Sequence, residues 1–241
     1  MARRRVVSLV PSLTEAIAVS APGALVGATD WCGHPAGLDV VRVRGTKNPD
    51  VGRIVALAPD LVLANEEENR EPDLAALRAA GLDVLVTEVR TLAQAFTELA
   101  RVLAACGAPA RPEWLDAARA AWRDLRPPAG RERRAVVPVW RRPWMVLGRE
   151  TFAGDLLARL GVENVYAGHA ERYPRVPLAE LRGSGAELVV LPDEPYAFAA
   201  DDGPEAFPET ASALVSGRHL TWYGPSLAAA PQVLGAALRG A

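Results

Sequence analysis

The 241-residue chain is 50 % apolar and 23 % charged with a formal net charge of −2, the make-up of a globular protein with a sizeable core. That balance gives no electrostatic case for nucleic acid or an anionic membrane surface. Cys32 and Cys106 are too few for a disulfide framework, no Cys-x-x-Cys pair marks a zinc site, and no apolar run reaches the ~18–20 residues of a membrane helix.

Arg3-Arg4-Arg5, the apolar residues 6–10 and Ala18-Val-Ser-Ala21 imitate the three regions of a secretory signal. Pro11, Ser12, Thr14 and Glu15 interrupt the apolar region, and Ser12-Leu-Thr-Glu15 has the form of a capping box. The segment is therefore read as a strand over 6–10 and a helix from Ser12 to about Val19. As written, the chain then carries no export address: cytoplasmic as it stands, extracytoplasmic if its start is trimmed. A second strand covers 24–28, and the loop Thr29-Asp-Trp-Cys-Gly-His-Pro35 follows, rich in side chains able to grip something. After the loop Arg44-Gly-Thr-Lys-Asn48, Asn48 as cap and Pro49 at the first helical position predict a helix to Leu57. A strand over 61–64 stops in the acidic turn Asn65-Glu-Glu-Glu-Asn-Arg-Glu71. A helix over 73–80 ends at Gly81, and a strand covers 83–87. Thr91-Leu-Ala-Gln94 opens an amphipathic helix to about Ala105. Pro112 starts another, running to about Leu125 and roughly 20 Å long, before the solvated linker Arg126-Pro-Pro-Ala-Gly-Arg131.

The second half opens with a strand over 135–139, the turn Trp140-Arg-Arg-Pro-Trp144 and a returning strand over 145–148. A helix over 151–160 ends at Gly161, residues 163–167 lead into the loop Gly168-His-Ala-Glu-Arg-Tyr-Pro174, and a short helix over 178–182 comes next. A strand after Glu187 ends in the loop Asp193-Glu-Pro-Tyr-Ala-Phe198. A helix near 205–214, a strand over 219–222 and a helix over 225–238 complete the chain.

One phrase occurs twice. Ala58-Pro-Asp-Leu-Val-Leu-Ala-Asn-Glu-Glu67 returns as Gly185-Ala-Glu-Leu-Val-Val-Leu-Pro-Asp-Glu194: a small residue, an acid, an apolar run, then a polar break with two acids. Such a run suits a parallel strand covered on both faces, with the polar residues at its carboxyl end where open α/β sheets gather ligand groups. The repeat predicts two similar α/β lobes, 1–107 and 128–241, joined by a helical segment 108–127 and facing a shared cleft. Chance likeness between two buried strands is the alternative.

No Gly-x-Ser-x-Gly elbow, phosphate-binding Gly-rich loop or His-Glu-x-x-His is present, and nothing positive argues for an enzyme. Aromatic residues stand at or beside predicted strand ends instead: Trp31, Trp140, Trp144, Tyr173, Tyr196, Trp222 and Tyr223. Their flat faces and polar edges suit a broad planar ligand, although each alone could simply pack beneath its own loop. His34 is the foremost candidate to reach a metal centre inside a bound ligand, with His169 behind it. A surface residue or local hydrogen-bond partner is the alternative for both, and His219 reads as structural. Cys32 lies two residues from His34, but two further ligands are missing for a zinc site. The acidic runs, Glu66, Glu67, Glu68 and Glu71 in one half and Asp193, Glu194, Glu205 and Glu209 in the other, are either solvated turns or knobs that dock on a partner's arginines.

Val6-Val-Ser-Leu-Val-Pro-Ser-Leu-Thr-Glu15, Gly45-Thr-Lys-Asn48, residues 58–69, Pro192-Asp-Glu-Pro-Tyr196 and Thr221-Trp-Tyr-Gly-Pro225 together resemble the helical-backbone metal receptors. These are the substrate-binding proteins of cobalamin, haem and siderophore importers; the likeness is greatest to the cobalamin branch and runs over nearly the whole chain. The resemblance implies two Rossmann-like lobes with mainly parallel sheets, joined by one long backbone helix in the class III binding-protein manner. It also implies a monomer with no covalent cofactor, binding a corrinoid or other metal-chelate and serving an ABC permease dimer. Trp31, His34 and Tyr173 match positions that flank the corrin, with His34 where that branch has an aromatic residue. Ser12, Lys47 and Asn65, polar members of the matched segments, complete the candidate ligand set. Glu71 lines up with a permease-docking glutamate, and Glu205 is assigned as its counterpart in the second half. A cytoplasmic enzyme or carrier of tetrapyrrole or other secondary metabolism is the second reading. A receptor for bare divalent metal is the third.

Overall fold

Leu61–Asn65 is buried at all five positions, and so is Leu188–Pro192. Side chains on both faces of each strand are withdrawn from water, which requires a neighbouring strand on either side and a layer above and below. The computed structural model, which describes residues 4–109, 111–125 and 132–241, supplies these neighbours twice. The stretch expected as a linker, 126–131, lies outside the described residues.

The chain divides into two compact units. The first holds the chain up to Val89 together with Ala93–Asp116 and Tyr223–Pro225; the second holds Arg90–Leu92, Ala117–Trp222 and Ser226–Ala241. In the first, β1 (Val6–Ser8), β2 (Leu25–Ala28), β3 (Val41–Arg42), β6 (Leu61–Asn65) and β7 (Val84–Thr87) form a parallel sheet in the order β3-β2-β1-β6-β7. A small antiparallel hairpin, β4 (Arg44–Gly45) with β5 (Asn48–Pro49), follows β3. The helices are α1 (Pro11–Ser20), α2 (Val51–Ala56), α3 (Glu71–Ala79) and α4 (Leu92–Ala105). Val7, Leu9, Ile54, Val62, Leu74 and Leu77 lie in one apolar cluster.

α5 (Glu113–Arg123) carries the chain from one unit to the other, the division falling between Asp116 and Ala117. At 11 residues it is about 16 Å long at 1.5 Å per residue. In the second unit β8 (Arg133–Val136), β9 (Pro138–Trp140), β10 (Met145–Val146), β11 (Val162–Asn164), β12 (Leu188–Pro192) and β13 (Ala211–Val215) give a parallel sheet β11-β8-β12-β13 with a β9-β10 hairpin beside it. Its helices are α6 (Phe152–Arg159), α7 (Leu178–Arg182), α8 (Gly217–Thr221) and α9 (Ala230–Arg239). The order β11-β8-β12-β13 reproduces β2-β1-β6-β7, so the repeated phrase occupies the same place in two equally wound sheets.

Equivalence extends to single atoms. Asp60 Oδ2 accepts the Arg5 backbone N–H at 2.7 Å, and the Asp60 N–H donates to the Arg5 carbonyl at 2.8 Å. Glu187 does the same with Arg134, at 3.2 and 2.8 Å. Each arginine also reaches the carbonyl that opens its phrase, Arg5 to Ala58 and Arg134 to Gly185, both at 3.3 Å. Those opening residues share a left-handed backbone, φ 44° at Ala58 and 71° at Gly185. At the other end the residue after each strand, Glu66 or Asp193, donates its N–H to the neighbouring strand at 3.1 Å.

Several boundaries differ from the sequence reading. Pro11 takes the first helical position of α1, so Ser12 lies inside the first turn, buried, and makes no cap. Asp50, not Asn48, caps α2 by accepting the Arg53 N–H at 3.0 Å, because Asn48 and Pro49 are used in the hairpin. The expected strand over 135–139 is broken at Val137, where β8 leaves the parallel sheet and β9 turns to meet β10. Residues 205–214 are not one helix: a short 3₁₀ turn, Pro204–Ala206, precedes β13, which pairs with β12 in register along its whole length. Pairing with a fully buried strand outweighs local helix propensity there. His219 sits in α8, not in a strand, and α9 starts at Ala230 after a 3₁₀ turn at Pro225–Ala228.

The left-handed pair gives a paired test. An alanine forced left-handed costs about 1–2 kcal/mol, while glycine gives up roughly 0.5–1 kcal/mol in chain entropy. Ala58→Gly should therefore raise unfolding free energy by about 0.5 kcal/mol or more, and Gly185→Ala should lower it by about 1 kcal/mol. Urea melts of the two variants against wild type decide it.

Candidate functional site

All strands of the first sheet run the same way, so the segments that leave their carboxyl ends lie along one edge. The loop after β2 is the most organised of these. Cys32 is fully buried, its Sγ within 3.0 Å of the Thr14 hydroxyl and 3.1 Å of the Thr29 hydroxyl. Arg42 binds three loop carbonyls from below: Thr29 at 2.9 Å, Cys32 at 3.0 Å and Leu38 at 3.3 Å. With its base pinned in this way, the loop holds Trp31 in solvent at 70 % exposure, and His34 is exposed three residues on. Gly45 of the hairpin leaves room beside the indole: a Cβ there would come within 3.1 Å of Trp31 Nε1 and 2.5 Å of Asn48 Oδ1.

Asn65 ends β6 and is itself structural. Its side-chain amide donates to the Thr87 carbonyl (3.1 Å) and hydroxyl (3.2 Å), while its Oδ1 accepts the N–H groups of Glu67 (2.8 Å) and Glu68 (3.3 Å). Asn69 returns to the Asn65 N–H at 2.9 Å and reaches the Thr46 carbonyl, and Lys47 Nζ donates to the Glu67 carbonyl. The acidic turn and the hairpin are thereby tied into one surface. Beneath it Tyr223 is buried, its phenol 3.4 Å from the Thr87 hydroxyl and beside buried Ser12. Burial first, and the nearby Glu68 charge second, push its ionisation far above the ordinary tyrosine value. Of the candidate set, Ser12, Trp31, His34, Lys47, Asn65 and Tyr223 all fall along this edge. Only Trp31, His34 and Lys47 are exposed on it.

In the second unit the loops after β9 and β12 carry an aromatic cluster. The rings of Trp140 and Tyr196 meet edge to face at 5.7 Å, Tyr196 and Phe198 lie 4.6 Å apart, and Trp144 stacks on Phe198 at 6.1 Å and 8°. Arg141 lies 5.2 Å over the Trp144 ring, bonds Asp202 and reaches Glu205 at 2.5 Å. Tyr196 donates to Asp202 at 2.6 Å, a bond that lowers the carboxyl's pKa and raises the phenol's. The Gly203 N–H, then Arg141, hold Glu205 below the usual carboxylate range. Trp140 keeps 42 % of its surface exposed, while Trp144 and Tyr196 pack against the core of the unit. Trp222 is buried at the end of α8, with Arg218 over its ring at 5.9 Å and its indole bonded to Glu194, whose pKa burial raises. Tyr173 is half-buried in the segment before Pro174. Glu71 opens α3 and pairs with Arg78 at 2.8 Å.

Among the described residues no group of three or more His, Cys, Asp or Glu side chains is placed to hold a metal ion. Cys32 and His34 do not act as a pair: the thiol faces inward as a loop anchor and the imidazole faces solvent. Among the described residues no helix is long and apolar enough to cross a membrane. Arg42, Arg141 and Thr87, central to these networks, escaped the sequence reading. Arg42 carried one signal, a lone charge inside the apolar run Val40-Val-Arg-Val43.

Parallel sheets wound twice in the same order, with loops gathered at their carboxyl edges, define a class III binding-protein fold. Residues 6–189 match the model of the periplasmic binding protein family, and the chain belongs to that family. Among solved structures it is similar to the periplasmic haem-binding protein BhuT in complex with two haems, at TM-score 0.83 and 21 % identity over 98 % of each chain. The haem-binding protein RhuT from Roseiflexus sp. RS-1 gives 0.80 and 22 % over 99 % of each. The vitamin B12-binding protein BtuF of Vibrio cholerae gives 0.75 and 19 % over 98 % of this chain and 96 % of that one. No curated protein matches the chain significantly.

Both thiols are kept protonated by burial. Cys106, behind α4, is pushed up from its ordinary 9.0 to about 11, with Arg4 opposing. The native state then holds a proton that the unfolded chain has released above pH 9, so this stabilisation is complete below pH 9 and fades as pH rises toward 11. By pH 10.5 the loss amounts to about 2 kcal/mol at roughly 1.4 kcal/mol per pH unit. Urea melts at pH 8 and 10.5 should show it in wild type and show a smaller fall in Cys106→Val.

Proposed function

We propose that the chain is the substrate-binding protein of an ABC-type importer and that its cargo is a metal-chelate of the corrinoid, haem or ferric-siderophore kind. The observation that carries this reading is Trp31, a tryptophan 70 % exposed on a loop whose base is pinned by a buried thiol and a three-carbonyl arginine. Holding so large an apolar face in water serves no packing purpose, and a flat ligand body is the natural surface to cover it. Family membership supports a non-enzymatic binding role, and the names of the similar structures support a tetrapyrrole-sized cargo. His34, exposed on the same loop, is the candidate axial ligand to the chelated metal. Glu71, exposed at the start of α3, is the candidate contact for the permease. Glu205 is a weaker one, because Arg141 already neutralises it.

Titration with haemin, cobinamide and a ferric siderophore should quench tryptophan fluorescence saturably at micromolar concentration for at least one of them. Trp31→Ala should weaken that binding about tenfold, the size of a lost aromatic stack plus its buried area, with an unchanged melting temperature. Absence of any response to all three ligands would refute the reading.

A further inference from the structure

Asp202-Gly203 is the one Asp-Gly pair in the chain, and no Asn-Gly occurs. With no side chain on its second residue, such a pair lets the amide nitrogen close on the neighbouring carboxyl carbon more easily than any other aspartyl sequence. The fold requires both residues here nonetheless. Gly203 adopts φ 132°, and a Cβ there would come within 2.8 Å of Phe198 Cδ1 and 3.2 Å of Leu191 Cδ1. Asp202 accepts the Tyr196 hydroxyl at 2.6 Å and the Arg141 guanidinium, and so joins the loop after β12 to the turn between β9 and β10.

Closure of that pair balances with water as its only co-reactant. The Gly203 nitrogen bonds to Asp202 Cγ, the Cγ–OH bond breaks, and the hydroxyl leaves with the amide proton as water, giving a five-membered succinimide. A second water opens the ring at the Asp202 main-chain carbonyl carbon, whose bond to the Gly203 nitrogen breaks. The chain then runs through Cγ, one methylene longer, and the former main-chain carbonyl has become a free carboxylate. The product is isoaspartate, with its carboxylate directly on Cα.

In the native loop the groups that would react are all engaged. One carboxylate oxygen of Asp202 takes Arg141 and the other takes Tyr196, while the Gly203 N–H donates to Glu205 Oε2 at 2.5 Å. Ala199 and Asp202 exchange main-chain bonds at 3.0 and 3.2 Å, fixing the backbone about which the nitrogen would have to swing. Closure also needs the neutral carboxyl, since hydroxide leaves far more readily than oxide. The Tyr196 hydroxyl first, and Arg141 beside it, hold that carboxyl below its usual range. Water is at hand, because the Asp202 side chain is 40 % exposed.

We infer that Asp202-Gly203 is a latent isoaspartate site, a point of spontaneous covalent modification that the Arg141 and Tyr196 bonds to Asp202 keep shut. Opening it is irreversible without repair. The shortened carboxylate loses its reach to both partners, and the turn that carries Trp140 is released from the loop after β12.

The test incubates the full chain at neutral pH beside its own tryptic peptide, residues 183–218, and measures isoaspartate at position 202 by peptide mapping and by labelling with an isoaspartyl methyltransferase. The folded chain should form it at least about tenfold more slowly than the peptide, since both carboxylate bonds must break first. Arg141→Gln should speed the folded chain about tenfold, the size of one charge-assisted bond. Tyr196→Phe, which removes a single hydroxyl, should speed it by a smaller factor and carries the test should Arg141→Gln fail to fold. Gly185→Ala loosens the same unit elsewhere and should isomerise as wild type does. A folded chain that reacts as fast as the peptide, a peptide that does not react, or substitutions at Arg141 and Tyr196 that leave the rate unchanged would each overturn the inference. So would Gly185→Ala accelerating as much as Arg141→Gln, because general opening of the unit would then suffice.

Discussion

The constraint on which the molecule rests is that a strand buried on both faces can be held only from its edges and its ends. β6 and β12 have no solvent-facing side to correct a slipped register, and a shift of one residue would set each side chain against the wrong layer. The same solution appears in both units. An acid just before the strand takes the backbone N–H of an arginine opposite, and that arginine holds the carbonyl that begins the phrase. Register is fixed at the amino end by charge-assisted bonds with both partners at the water boundary. The carboxyl end is then free to break into loops of varied chemistry.

What those loops do follows from how firmly their bases are held. In the first unit Arg42 and Cys32 satisfy the polar groups of a turn that has no regular structure of its own, so its ligand-side residues stay in place without packing inward. In the second unit Arg141 plays the corresponding part. It ties the β9-β10 turn to the loop after β12 through Asp202 and Glu205 and covers the Trp144 ring. The two devices differ in residue and partner, which is expected where scaffold duplication is followed by independent tailoring of loops.

The sequence displayed the scaffold more clearly than the site. Buried parallel strands announce themselves as unbroken apolar runs, and the doubling of one such run was enough to reveal the doubling of the sheet. Helices whose caps compete with another use of the same residues were misplaced: Asn48 and Pro49 look like a helix start until the hairpin claims them, and Ser12 looks like a cap until Pro11 takes the first turn. β13 was hidden because its alternation is short, with only Ala213 and Val215 of its five residues buried. Within the site, exposure was not legible. Trp31 and Tyr223 look alike as loop aromatics, yet one stands in water and the other is enclosed by Thr87 and Ser12. Which of them turns outward depends on tertiary neighbours that no local pattern records.

Tyr223, Gly224 and Pro225 belong to the first unit, although the chain on either side of them belongs to the second. This three-residue splice has a practical meaning for any attempt to divide the protein. A fragment ending within α5 would lack the tyrosine that closes the floor under its own ligand-side edge, leaving the hydroxyls of Ser12 and Thr87 over an empty space. The complementary fragment would carry that tyrosine as a stray aromatic with nothing to cover. A cut within α5 therefore parts the first unit from three of its own residues.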